Sequence, residues 1–587
     1  MSIAGTVDPV TLAVVSGALD NSIREMTITM RRAAMSPVLA IGNDFSNAIF
    51  DGDARMVLQG QDQPVHLGAM IFACKEVAKY FGTDLAPGDV IYHNDPRTGG
   101  SHLPDMTLYK PVFVGDELAF WTVNRSHMDE TGGPVAGGYN PSADEIWSEG
   151  LRISPVKLYA AGRRRRDVVD LLSTNFRTRR QFAGDLAAQL AACTMAERRL
   201  LSLVERYGLS IVKACLDGLL DRAETQMRAE ISRMPDGEYV GTAMVEDDGH
   251  GSGELEIRAI VRIAGDRLDI AMSGPPQTHS YINSYAANSV GAVYLGVLTY
   301  IDPHIPHNEG LYRPLNVDLG PKGSLINALE PAACSMSTST PYGHLTEAVR
   351  TALSKALPDR AGGGWAKICI DCFTGVDPRS GEPYAYLSHM TGWGGGGAFS
   401  GHDGEPAVGP IEVAGAAMTG DVELVEYMLP LEFHRYELRP DSGCPGRWRG
   451  GAGTEVEISP IDHTTTVSFL GDGMKYPAPP ANGAGVPSDS KRAFRKWVVE
   501  PHGTLSTVPL HSFRQLDPTQ VLREFTAGGG GVGNPMQRSL DEVLSDWRND
   551  LVSLDSCRAD YGVVIDAGRG VVDENETRRL RNGGLER

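Results

Sequence analysis

The sequence predicts a multidomain α+β protein, with a mixed N-terminal region over residues 1–235 and a β-rich, glycine-rich region with inserted helices over 236–587. Three observations predict it. A chain of 587 residues is longer than one hydrophobic core usually serves. Apolar residues fall at helical spacing in three early stretches and give way to strand-like runs after Gly237. Glycine runs then crowd the last third, at Gly362–Gly364, Gly394–Gly397, Gly450-Gly451 and Gly528–Gly531.

The elements follow in order. Asp8-Pro9 starts a helix, with Asp as N-cap and Pro at the first helical position. Leu12, Val15, Leu19, Ile23 and Met26 continue it at helical spacing, and Met30 to Met35 extends it. Ser46–Phe50, an Asp51-Gly-Asp turn and Arg55–Leu58 read as a hairpin, with Asp44 in the loop just before it. Gln63-Pro-Val-His66 leads into a helix over 69–81. Pro87-Gly-Asp is a turn into a strand. A long helix spans Asp185 to Met234, broken at Gly208. Strands return from Gly237 to Ser273, and further helices cover 286–300 and 341–357.

A hydrophobic content of 41% and a charged content of 22% are those of a globular protein. The net charge of −20 argues against a nucleic-acid or anionic-membrane surface, which needs excess Lys and Arg. The basic run Arg163–Arg166 reads as a solvated patch or a salt-bridge partner. The eight cysteines are scattered through apolar runs, the pattern of reduced thiols in a cytoplasmic protein. Cys369-Ile-Asp-Cys372 lies in a strand-like run with no second pair to complete a zinc site. The first residues lack the basic and apolar regions of a signal peptide, and no run of about 18 apolar residues occurs.

Two polar runs carry the chemistry. His93-Asn-Asp-Pro-Arg-Thr-Gly-Gly-Ser-His-Leu-Pro-Asp105 and Asn124-Arg-Ser-His-Met-Asp-Glu-Thr-Gly-Gly133 flank a strand-like stretch from Met106 to Val123. Imidazole plus carboxylate is the ligand set that holds Mn, Fe or Zn. His102, Asp105 and His127 are the candidate inner ligands, with Asp44 as a further carboxylate. Asp95 and Asp129 are candidates to orient the imidazoles through their free N–H groups. A polar active-site loop without metal, or histidines satisfied by the core, would leave the same pattern. The glycine run after Thr526 lacks the Lys of a P-loop and the strand–helix context of a dinucleotide fold, so tight structural turns are expected there. The basic glycine loop 441–453 reads the same way. No recognisable ATP site, GxSxG elbow or cysteine nucleophile is present.

Several stretches resemble the hydantoinase B/oxoprolinase family. They are Asp8-Pro-Val-Thr, His93-Asn-Asp-Pro with His102-Leu-Pro-Asp, Asn124-Arg-Ser-His-Met-Asp-Glu-Thr-Gly-Gly and Glu149-Gly-Leu-Arg-Ile-Ser-Pro. Later come Arg439-Pro-Asp-Ser-Gly, Arg449-Gly-Gly-Ala-Gly, Gly528-Gly-Gly-Gly-Val-Gly-Asn-Pro and Tyr561-Gly-Val-Val, in family order. The family includes subunits of ATP-dependent hydantoinases, 5-oxoprolinases and caprolactamase, with relatives in acetone and acetophenone carboxylases. The resemblance implies a division of labour. A separate hydantoinase A-type ATPase binds ATP and phosphorylates the substrate's carbonyl oxygen; this chain carries a divalent metal (Zn, Mn or Fe) and opens the ring of a lactam, hydantoin or 5-oxoproline. The two chains are expected to form a hetero-oligomer. The resemblance implies Asp44, His102 and His127 as metal ligands, with Asp105 close by. Asp105 or Asp129 is then expected to accept the proton of the attacking water, and His66 and Glu149 to contact substrate. Two other readings stay open, one component of a ketone carboxylase and a non-catalytic scaffold around a structural metal.

Overall fold

The computed structural model describes residues 7–583, apart from 61, 67, 389–391, 414–415 and 486–491. Asp8 caps the first helix as its sequence requires, its carboxylate accepting the Thr11 N–H. This helix, α1 (Pro9–Ala33), stops short of Met35, and Ser36-Pro37 begins a separate single turn, α2 (Pro37–Ala40). The residue before a proline is pushed out of the helical region, which explains the break.

The N-terminal region is built on one seven-stranded antiparallel sheet, β2-β1-β5-β4-β3-β6-β7. Its strands are β1 (Phe45–Asp51), β2 (Met56–Gln59), β3 (Val90–His93), β4 (Asp105–Val114), β5 (Glu117–His127), β6 (Val156–Ala160) and β7 (Arg163–Arg164). Every residue of β1 is buried, because both faces of the sheet are covered. On one face Phe45, Ile49, Leu108 and Phe120 pack with α1, α5 (Arg179–Tyr207) and α6 (Leu209–Ile231). On the other, Ala48, Phe50, Tyr109 and Trp121 pack with α3 (Ala69–Phe81), α7 (Ala286–Leu298) and α9 (Tyr342–Ala356). Two short helices, α4 (Arg166–Asn175) and α8 (Glu309–Tyr312), complete this part. The expected break at Gly208 separates α5 from α6, where the glycine adopts φ +83°.

After residue 235 a second sheet forms, β11-β10-β9-β8, from β8 (Gly237–Val245), β9 (Leu255–Ala264), β10 (Arg267–Ser273) and β11 (Leu315–Asp318). Along β9 alternate residues are buried against α9. The approach is close: a side chain at Gly241 would lie 2.0 Å from the Ala348 carbonyl oxygen. One apolar cluster holds Trp121 and Val123 from before residue 235 together with Ile257, Val261 and Val349 from after it.

Two larger sheets dominate the last third, followed by helices and a two-stranded ribbon of Ile565–Asp566 with Val571–Val572. One is ordered β13-β12-β16-β19, from β12 (Cys369–Val376), β13 (Pro383–Leu387), β16 (Thr465–Gly471) and β19 (Ser512–Leu516). The other is β14-β15-β20-β17-β18, from β14 (Leu431–Leu438), β15 (Thr454–Pro460), β17 (Arg495–Val499), β18 (Leu505–Thr507) and β20 (Val521–Phe525). They share an apolar core of Phe373, Val456, Val467, Val498 and Leu522. A buried ion cluster crosses between them: Lys496 Nζ of β17 contacts Asp371 of β12 and lies 2.9 Å from Glu524 of β20.

The glycine runs pack against one another instead of forming isolated turns. Gly529 N–H donates to the Gly451 carbonyl, Gly451 N–H to Gly396, Gly530 N–H to Gly364, and Ala398 N–H back to Gly530. Glycine is required here by contact, not by handedness. A methyl at Gly529 would lie 1.9 Å from the Gly396 oxygen, and one at Gly450 1.9 Å from the Gly529 oxygen. These backbone groups bond to each other, so they do not present the free N–H cradle a phosphate needs.

Candidate metal centre

The site lies at one end of three neighbouring strands. Asp105 is the first residue of β4 and His127 the last of β5, and the two are paired in register. Asp44 immediately precedes β1, and its carbonyl accepts the His127 N–H at 3.0 Å. His102 sits on the turn entering β4, where the Asp105 N–H returns to the His102 carbonyl at 3.2 Å. His66 ends the short turn Pro64–His66, and its Nδ1 meets Ser46 Oγ of β1 at 2.9 Å.

The ligand atoms converge. His102 Nε2 lies 3.1 Å from Asp105 Oδ1 and 3.2 Å from His127 Nδ1, and Asp105 Oδ1 lies 3.5 Å from His127 Nδ1. Ligand atoms about 2.0–2.1 Å from a tetrahedral metal stand about 3.3 Å apart, so this triangle has the edge length a divalent cation needs. Asp44 Oδ2 is 3.9 Å from His127 Nδ1, and His66 Nε2 is 3.4 Å from Asp105 Oδ2. All five side chains are buried.

The proton positions support the same use. The Ser335 carbonyl can only accept, so His102 Nδ1, 2.5 Å away, carries a proton. That leaves Nε2 to take a cation or a second proton. In the protein alone, burial opposes charge on His102, but the Asp105 and Asp44 carboxylates outweigh it and raise its pKa. Burial likewise opposes charge on Asp105, yet the imidazoles of His102 and His66 hold its carboxyl well below the usual range. Burial, with the Asp105 charge beside it, pushes Asp44 up to about 8. Burial lowers His66, and lowers His127 to about 4. Two carboxylates and two imidazoles crowded out of water form a donor set that a divalent cation neutralises.

Around this triangle lies a pocket lined also by Val65, Tyr139, Thr338, Ser339, Ile368, Ile370, Leu387, Trp393 and Val413. The Tyr139 ring stacks on His127 with centroids 5.9 Å apart. Free space beside the cluster is about 30 Å³, room for about two waters. The lining includes no Lys or Arg among the described residues.

The remaining candidates lie elsewhere. Asp129 takes the Thr178 hydroxyl at 2.9 Å and is not among the pocket-lining residues. Burial and the neighbouring Asp185 raise its pKa well above normal. Asp95 caps the turn Pro96–Thr98 and pairs with Arg97 at 3.0 Å, and His93 meets Thr98 Oγ1 at 2.8 Å. Neither aspartate orients an imidazole of the cluster; the Ser335 carbonyl and the Ser46 hydroxyl do. Glu149 is not a pocket residue either, and its carboxylate accepts the Cys334 and Ser335 N–H groups. Ser335, Thr338 and Ser339 had one sequence signal, the hydroxyl run Ser335-Met-Ser-Thr-Ser-Thr340. Tyr139 and the apolar wall had none.

The sequence model of the hydantoinase B/oxoprolinase family matches residues 8–535. The chain belongs to the hydantoinase B/oxoprolinase family. It is 47% identical to the caprolactamase of Pseudomonas jessenii (its beta subunit), over 98% of this chain and 99% of that one. It is 30% identical to one of the subunits of a putative D-/L-hydantoinase of Pseudomonas sp. (strain NS671), over 98% of each. In three dimensions it is similar to the crystal structure of the ATP-dependent caprolactamase of Pseudomonas jessenii. That match has a TM-score of 0.93 at 45% identity and covers 98% of this chain and 100% of the other. Among its described residues this hydantoinase B/oxoprolinase chain has no helix long and apolar enough to cross a membrane.

Proposed function

We propose that this chain is the metal-bearing, ring-opening component of an ATP-dependent cyclic amidohydrolase. Its partner in this reading is a hydantoinase A-type ATPase that phosphorylates the lactam carbonyl. The observation that carries the proposal is the triangle of His102 Nε2, Asp105 Oδ1 and His127 Nδ1 with edges of 3.1–3.5 Å, in a chain nearly half identical to part of a caprolactamase.

Amide resonance makes an unactivated lactam a poor electrophile, and phosphorylating its oxygen removes that resonance. Asp44, His102, Asp105 and His127 would hold a divalent cation, with Zn, Mn and Fe all suited to mixed imidazole and carboxylate ligands. When bound, such a cation supplies the Lewis acidity that makes water a nucleophile at neutral pH. His66 receives the water's proton. Burial lowers the pKa of its imidazole against the pull of Asp105, it lines the pocket, and its Nε2 makes no well-aligned hydrogen bond among the described residues. Asp105, 3.4 Å away, stabilises the imidazolium that results. Asp129, bonded to Thr178, is not among the pocket-lining residues, and this reading gives it no part in that step. Ile368, Ile370, Leu387 and Val413 offer an apolar wall to the ring. We place the enzyme in the cytoplasm, a reading supported by the cysteines, which are buried and unbridged among the described residues.

The test is ATP consumption by the complex with its ATPase partner, given caprolactam, hydantoin or 5-oxoproline, and separately acetone or acetophenone with bicarbonate. Lactam-dependent turnover with ring-opened product, lost in His102→Ala, is expected. Bicarbonate-dependent turnover of a ketone, with no lactam hydrolysis, would replace this reading with carboxylation.

A further inference from the structure

We infer that Glu149 is a positioning residue for the metal centre, acting through the backbone at Cys334 and Ser335 upon His102. The inference rests on the metal site proposed above.

Glu149 follows the short turn Ile146–Ser148 and is 1% exposed. Its Oε2 accepts the Cys334 N–H at 2.7 Å and its Oε1 the Ser335 N–H at 2.6 Å. Two charge-assisted bonds to successive peptides fix the loop's direction far more tightly than one would. The next group along is the Ser335 carbonyl, which accepts the His102 Nδ1 proton. The bond from Ser335 sets both the ring plane of His102 and its tautomer, and so aims Nε2 at Asp105 and His127. Glu149 is itself anchored, since its carbonyl accepts the Thr131 hydroxyl at 2.9 Å.

The charge also needs an explanation. Glu149 makes no ion pair among the described residues, and burying an unpaired carboxylate is costly. Burial accordingly raises its pKa to about 7, while the two N–H donors and the charge of His102 act the other way. A loop that only needed its N–H groups satisfied could use an amide or a water. A carboxylate additionally favours positive charge at the cluster, which a bound cation supplies.

The experiment compares metal binding by wild type, Glu149→Gln, Glu149→Asp and His102→Ala, each in the complex with its ATPase partner. Metal affinity is titrated, and the absorption spectrum of the Co(II)-substituted protein is recorded. In Glu149→Gln the amide N–H₂ faces a peptide N–H, so one bond is lost. Affinity is expected to fall about 10- to 100-fold, with a shifted Co(II) spectrum and a fall in kcat greater than any change in KM. Glu149→Asp keeps the charge and is expected to lie between the two, which preserves the test should Glu149→Gln not fold. Wild-type affinity and an unshifted spectrum in both Glu149 variants would overturn the inference, whatever their thermal stability, provided His102→Ala loses metal. A wild-type protein that takes up no metal would overturn the metal reading itself, and the inference with it.

Discussion

Asp105 and His127 are register partners across β4 and β5, and the side chains they turn to the same end of the sheet come within 3.5 Å. Antiparallel pairing fixes this distance, so the ligands are preset by the sheet before any cation arrives. Removing bound metal with a chelator is therefore expected to lower the thermal midpoint without changing the circular dichroism spectrum. Metal at 100 times its dissociation constant stabilises by about 2.7 kcal/mol. Calorimetry before and after chelation, with metal added back, checks this; a metal-free protein that has lost its β signal would contradict it.

The Lys496 ammonium is buried between Asp371 and Glu524. Lys496→Met is expected to destabilise by about 3–5 kcal/mol, because it leaves two carboxylates facing each other out of water. The triple replacement of all three by apolar residues should recover most of that loss. Urea unfolding of the single and triple variants decides it, and a neutral single variant would refute the ion-cluster account.

Glycine substitutions should separate by position. Gly529→Ala places a methyl 1.9 Å from a backbone oxygen, where nothing flexible can move aside, and is expected to cost at least about 3 kcal/mol. Gly17→Ala lies on an open face of α1 with nothing within 4 Å and should stabilise by about 0.5–1 kcal/mol. Thermal midpoints of the two variants in opposite directions from wild type are the expected result.

Burial raises Glu412 from an ordinary 4.5 to about 8. Between those values the folded protein keeps the proton and the unfolded chain has lost it. This group's contribution to stability is thus complete below about pH 4.5 and declines as pH rises to about 8, by at most about 1.4 kcal/mol per pH unit. Glu412→Gln removes that decline. Unfolding midpoints from pH 5 to 8 should fall less steeply in the variant; parallel slopes would rule the effect out.

The parts of the site that were legible in the sequence are those made by local geometry. Asp44, His102, Asp105 and His127 all sit where a strand begins or ends, and a hairpin of two paired strands is a short-range pattern. Asp129 belongs to the same polar run, but β5 ends at His127 and the chain then turns toward Thr178. The bonds of Glu149 to the Cys334 and Ser335 N–H groups are not legible, because a carboxylate in a motif says nothing about which distant N–H groups it will meet. The glycine runs read as turns because the sequence shows each one alone, and only the assembled chain sets Gly396, Gly451 and Gly529 side by side. The helices were legible for the opposite reason. Their periodicity is internal, and the glycine at 208 marks its own break.

The hydrogen bond from His102 to Ser335 spans 233 residues of sequence. At ordinary rates of protein synthesis, about 5–20 residues per second, Ser335 leaves the ribosome roughly 10–50 s after His102. For that interval the nascent chain displays imidazoles and carboxylates with no carbonyl to hold one ring in its working tautomer. In the metal reading proposed above, the site is therefore finished only after residue 335 has joined the fold, long after its ligands have been made.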